Sequence, residues 1–357
     1  MDATSVDWSM GSRASKLADW DLALQVGRRV AGPGVSVVPV HRARVREELA
    51  VLVPEAERLI TGFTGLDPGG SRARAWVMSR REWIRQNLLG LQRLIEPLAE
   101  RIAERQSNRP EISRKALGLQ SGALLGYVSR RVLGQYDAFL PPDDEGLLYF
   151  VGPNLVEVER TYRLPPRDFR LWVSLHEVTH RVQFGAADWL RVEMQGLIDA
   201  YLDTISLEGK DLVAQLRRAV EEARQGGDRH GMGAIFLLLT PEQRELFVRV
   251  QSLMSLLEGH ASFVMNEVAR GHVRDVDRMR RALSARRKTR GVEKTFQRAI
   301  GFDQKVAQYD VGERFVRAVI DRAGMDTFNL VWTGPEHLPT LDEIRSPDAW
   351  LARVAGG

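Results

Sequence analysis

Arg170-Leu171-Trp172-Val173-Ser174-Leu175-His176-Glu177-Val178-Thr179-His180-Arg181-Val182-Gln183-Phe184 is the stretch on which the reading of this chain turns. Leu171, Leu175, Val178 and Val182 recur at helical spacing, and no Gly or Pro intervenes before Gly185, which predicts an amphipathic helix. Residues i and i+4 share one helix face, so His176 and His180 aim two imidazoles at one point. Glu177 is rotated by about 100° from His176; it can reach what the histidines hold without being a third ligand from the same turn. The pentapeptide is an H-E-x-x-H arrangement, two zinc ligands plus a carboxylate base. Zinc brings the pKa of its water to about 7, where a carboxylate can take the proton. The rival reading is two hydrogen-bonded histidines on a partly buried helix face with no metal.

A zinc on two histidines needs a further protein ligand. The extension H-E-x-x-H-x-x-G-x-x-H would need Gly at 183 and His at 186, where this chain has Gln183 and Ala186. Three carboxylates remain: Asp188, Glu193 and Glu258. The first two follow the motif so closely that the chain would have to reverse sharply at Gly185. Glu258 lies on the stripe Val250, Met254, Ala261, Met265 and so faces an interior. An unpaired charge there costs several kcal/mol and calls for a cation. Zinc on His176 and His180 would satisfy it, and so would one of the many arginines. His260 is open to three roles: a partner behind the ligands, a donor to a developing oxyanion, or a core histidine. Tyr309 is a second candidate oxyanion donor, or a core tyrosine. His41, His230, His272 and His337 have no ligand spacing and are expected at the surface.

The totals narrow the chemistry. With 44% hydrophobic and 27% charged residues the chain is ordinary for a globular protein, and 357 residues suffice for one large domain or two smaller ones. Cysteine is absent, so any metal must be held by His, Asp or Glu. A net charge of +4 is modest. The basic run Arg278, Arg280, Arg281, Arg286, Arg287, Lys288, Arg290 lacks the interleaved aromatics that would stack bases, and reads as a solvated face rather than a nucleic-acid site. Asp2, Asp7, Asp19 and Asp21 break up the start of the chain, and the most apolar stretch, 122–133, is interrupted by Arg130-Arg131. The expectation is a cytoplasmic protein without a membrane segment.

The rest of the chain reads as mainly α with one small β element. Helices are expected over 17–31, 42–61 (with Pro54 inside), from Ser71 to about residue 98, over 117–139, and in a series from 187 to 323. Within that series fall 187–207, 211–225, 241–269, 274–288, 292–300 and 303–323. A short strand is expected at 35–40. The tail from Trp332 to Arg345 reads as loop, and Ser346-Pro347 opens a last helix. The β element is a hairpin, 147–151 and 155–158 joined by Gly152-Pro153-Asn154, whose edge could pair with an extended substrate. One unit over 1–357 is expected, with the loop at 141–146 as the place for any subdivision into 1–142 and 143–357.

The motif with Leu257-Glu258-Gly259-His260-Ala261, Leu133-Gly134-Gln135-Tyr136-Asp137 and Lys305-Val306-Ala307-Gln308-Tyr309 resembles the zincin-like metallopeptidase type 2 family, from about Asp19 to Val354. Its members are bacterial proteins labelled as hydrolases or as associated with deazaflavin-coenzyme biosynthesis, without an assigned function. The resemblance implies a zincin-like architecture, a motif helix crossed by a later helix that carries a Glu ligand. It implies His176, His180 and Glu258 on Zn²⁺, Glu177 as base, and His260 completing the site. Ser262 stands where the Glu-zincin pattern E-x-x-x-D would place an Asp. The expected activity is zinc-dependent hydrolysis, most readily of a peptide or protein. The alternative is a catalytically silent, zinc-stabilised helical scaffold that binds a partner.

Overall fold

A computed structural model describes residues 17–96, 99, 111–138, 146–204, 239–287 and 302–355, with backbone alone at 287, 302–310 and 355. Two compact units are formed. The first draws on Met1–Thr61, Gly69–Arg181 and Ala269–Met279; the second draws on Gly62–Pro68, Val182–Val268 and Arg280–Gly357.

In the first unit, helix α1 (Trp20–Ala31) opens on Asp19, whose side chain accepts from Leu22 N at 2.9 Å. Helix α2 (Pro39–Thr64) runs through Pro54. It begins inside the stretch expected as a strand at 35–40, because Pro39 fixes a helical φ at a position that needs no N–H donor. Strand β1 (Arg74–Met78) and helix α3 (Arg80–Leu94) replace the single helix expected from Ser71. Ser79 is the cap: it accepts from Glu82 N, and Glu82 returns a bond to Ser79 N at 2.7 Å, a capping box. The five residues before it are held extended by parallel pairing with strand β3 (Leu147–Val151). Long-range pairing of this kind leaves no local periodic trace.

Helix α4 (Glu111–Ser129) ends ten residues before the expected 139, and strand β2 (Gly134–Tyr136) follows. Its Gly122 and Gly126 lie against the α1 backbone; a Cβ at 122 would come within 2.9 Å of Ala23 Cα. The sheet order is β1-β3-β2, with β2 antiparallel to β3. The expected hairpin is therefore wrong in its second arm. Gly152–Tyr162 is helix α5, with Pro153 in its first turn, where a missing N–H costs nothing. Gly-Pro-Asn serves a turn or a helix start equally well, and the burial of Leu155, Val156 and Val158 settles it as helix. Because β3 is paired on both sides, it offers no edge.

Helix α6 (Pro166–Ala186) carries the motif and starts after Pro165 as expected. Arg170, 1% exposed, anchors it: it donates to both Glu159 oxygens at 2.7 and 2.8 Å and to Glu48 Oε2 at 2.6 Å. Arg181, also buried, donates to Glu57 and to the Gly69 and Ser71 carbonyls.

The second unit contains helix α7 (Trp189–Asp203), most of α8 (Pro241–His272), and α10 (Phe302–Asn329), interrupted at Gly324 with φ 85°. Helix α9 (Val276–Arg287) begins in the first unit. The expected tail loop contains α11 (Leu341–Arg345), started by a Thr340–Glu343 capping box, and α12 (Pro347–Ala355) follows it. Gly259 of α8 faces Gly312 of α10, where a Cβ would fall 2.7 Å from Glu313 N. Its smallness serves helix contact. The helices expected at 211–225 and 292–300 lie outside the described residues. Among those described, no helix is long and apolar enough to cross a membrane. The fold is mainly helical with one small sheet.

Candidate metal centre

Phe169, Leu171, Leu175, Val178 and Val182 are fully buried, so the apolar stripe of α6 fixes which way its other face looks. His176 and His180 stand one turn apart with ring centroids 4.9 Å apart and planes at 86°. Glu258 comes from α8. Each of His176, His180 and Glu258 offers one ligand atom, and these atoms lie within 4.8 Å of one another. Two imidazole nitrogens and a carboxylate oxygen suit Zn²⁺, which accepts such mixed donors tetrahedrally and leaves a fourth position for solvent or substrate. The donor set fits the metal that the motif implies.

Glu177 is 9% exposed and faces β2. Its Oε2 accepts from Tyr136 N at 3.2 Å. A Cβ at Gly134 would stand 2.9 Å from Glu177 Cδ, so only glycine leaves room for this carboxylate at that strand position. The backbone of β2 therefore fixes the Glu177 carboxylate.

His260 is fully buried. Its ring stacks on Phe328 with centroids 5.2 Å apart and tilts against Trp332 at 5.1 Å. Its Nδ1 lies 2.9 Å from Gln183 Nε2, which also donates to Leu257 O at 2.9 Å. Of the other carboxylates weighed as ligands, Glu193 accepts from Arg249 at 2.8 Å. Asp188 sits at the N-cap of α7 without a side-chain cap bond; neither belongs to the ligand group. The Tyr309 side chain and His230 lie outside the described residues. His41 contacts Arg160 and His337 contacts Thr333; both histidines are half-buried rather than fully at the surface. In the basic run, Arg278 donates to the Tyr162 and Arg163 carbonyls.

The sequence reading missed β2 and Gln183. A three-residue strand is too short for any period to register. Gln183 figured only as the residue that broke a longer histidine motif, although a polar residue on an otherwise apolar turn is itself a signal of a buried partner.

The sequence model of a family described as zincin-like metallopeptidase matches residues 18–351. A crystal structure from Chloroflexus aurantiacus, described as "a putative hydrolase with a novel fold", is similar at a TM-score of 0.71 and 33% identity. The similarity covers 96% of this chain and 100% of that one. No curated protein matches.

Proposed function

The chain belongs to the zincin-like metallopeptidase family, and from that premise we propose that it is a zinc-dependent hydrolase acting on peptide bonds. One observation carries the reading: two imidazoles and a carboxylate from separate helices bring ligand atoms within 4.8 Å of one another, with a second carboxylate, Glu177, one residue from the first ligand. The family membership and the hydrolase description of the similar structure support it.

His176, His180 and Glu258 would hold the ion, which supplies Lewis acidity and an acidified water. Glu177, fixed by Tyr136 N–H, takes a proton from the attacking water as the C–O bond forms. It passes that proton to the amine nitrogen as the C–N bond breaks. Because Glu177 packs on β2, an extended substrate is expected along that strand rather than along the 147–158 segment. Backbone pairing there would bring the scissile carbonyl to the base.

The test combines metal analysis with turnover of a mixed peptide library. Zinc at one ion per chain, unchanged in Glu177→Gln while cleavage is abolished, is the expected result. Full cleavage by Glu177→Gln would overturn the assignment of the base. Zinc binding with no cleavage of any peptide or amide by the wild type would leave the scaffold reading in its place.

A further inference from the structure

The residue that follows the second histidine by three places is a buried amide between two backbone turns of α8. Gln183 is fully buried, and its single carboxamide nitrogen donates to Leu257 O and reaches His260 Nδ1, both at 2.9 Å. Leu257 and His260 bracket Glu258 in the sequence of α8. The orientation of the amide is fixed by chemistry: its oxygen could not face the Leu257 carbonyl, so the NH₂ group does. One of its hydrogens goes to that carbonyl, and the other finds the Nδ1 lone pair, which places the His260 proton on Nε2. Phe328 and Trp332 pack against the imidazole with ring centroids 5.2 and 5.1 Å away, which restricts its rotation.

We propose that Gln183 and His260 are positioning residues that hold Glu258 of α8 in place for the ligand group it forms with His176 and His180. His260 thus acts on the metal through Gln183 rather than on the substrate. The proposal rests on the zinc reading above. The polar lock has a reason to exist there. Leu257 O is already within an α-helical ladder, and a second donor to it adds no helix stability that an apolar contact could not match. A buried amide with two bonds fixed in direction does what apolar packing does not: it specifies one register of one helix against the other. A carboxylate ligand misplaced by a fraction of an ångström loses ion affinity, and residues behind metal ligands typically contribute about 10–100-fold to it.

The experiment measures Zn²⁺ affinity of the full apo chain by competition with a chromophoric chelator, together with apo-protein melting, for Gln183→Leu, His260→Gln and Ile344→Ala. Ile344 is a buried apolar residue of α11 and serves as the packing control. The expected result is a zinc Kd raised at least tenfold in Gln183→Leu. His260→Gln, which retains an acceptor, should recover most of that affinity, and Ile344→Ala should stay within about threefold of wild type despite a lower apo Tm. An unchanged Kd in Gln183→Leu overturns the proposal. So does a loss in Ile344→Ala that matches Gln183→Leu at equal loss of Tm, because packing would then explain both. A His260→Gln chain with wild-type zinc affinity and abolished turnover would return His260 to a catalytic role and overturn its assignment here. If the wild type binds no zinc, the underlying hydrolase reading fails, a result distinct from any of these.

Discussion

Gly134 and Glu177 are in contact across two elements: a methyl group on the glycine would stand 2.9 Å from the glutamate Cδ. Gly134→Ala therefore has to push the carboxylate off its Tyr136 N–H bond or push β2 away from β3. A reacting group displaced by about 1 Å can cost about 100-fold in rate. The expectation is a kcat/KM for peptide hydrolysis lower by about that factor, with zinc content unchanged. Parallel loss of zinc would mean that the strand supports the ligands and not the base alone.

Removing one imidazole should remove the metal. His176→Ala is expected to bind no zinc at micromolar concentration and to lose the thermal stabilisation that zinc gives the wild type. At free zinc 100 times Kd that stabilisation is about 2.7 kcal/mol. Calorimetric scans of both proteins, with and without a chelator, check it: the chelator should lower the wild-type Tm and leave that of His176→Ala in place.

Arg170 sits on the motif helix with only 1% of its surface exposed, bonded twice to Glu159 and once to Glu48. Glu159 is itself 4% exposed. Deleting one partner strands a buried charge, which typically costs about 3–5 kcal/mol. Arg170→Ala should show that loss in urea unfolding, while Arg170→Met paired with Glu159→Leu should recover a large part of it. Equal losses in the single and double variants would assign the effect to volume rather than charge.

Two glycines of the same residue type should respond in opposite directions. A Cβ at Gly122 would lie 2.9 Å from Ala23 Cα, whereas at Gly62, in α2 with no positive φ, nothing comes within 4 Å. Gly122→Ala is expected to destabilise by about 1–3 kcal/mol through overpacking. Gly62→Ala should stabilise by about 0.4–1 kcal/mol by restricting the unfolded chain. Denaturant midpoints at constant m-value test the pair.

Acid should weaken the protein through specific carboxylates. Burial pushes the Glu343 carboxyl up, but bonds from Arg353 and from Thr340 outweigh it and hold the pKa below the ordinary 4.5. Glu48 is depressed likewise, against its burial, by Arg44 and Arg170. A depressed folded-state pKa gives stability that is present above the unfolded value and lost as pH falls through the folded one. Tm should therefore be flat above about pH 5 and decline below it, and Glu343→Gln should lower the plateau and flatten the decline. An unaltered slope in that variant would count against the assignment.

The parts of the fold legible in the sequence are those written in local periodicity. The stripe Leu171, Leu175, Val178, Val182 announced α6, and i, i+4 spacing put His176 and His180 on one face of it. The apolar surroundings of Glu258 marked it as a carboxylate in need of a cation. Thr340-Leu341-Asp342-Glu343 carries a capping box, a local helix-start signal within the stretch that reads as loop. β3 was legible from its unbroken apolar run Leu147–Val151, whereas β2 has three residues, too few for a period, and β1 is opened by Arg74 and held extended by its pairing with β3.

By itself, the sequence determined which residues could bind an ion, since helical geometry converts a spacing of four into a shared direction without help from the rest of the chain. Only the tertiary structure decided what stands around them: Glu258 in one ligand group with both imidazoles, Gly134 and Tyr136 against Glu177, and Gln183 against Leu257 and His260. Those contacts join residues between 41 and 82 positions apart. Their formation depends on packing and backbone pairing summed over many residues, a balance no window of sequence contains.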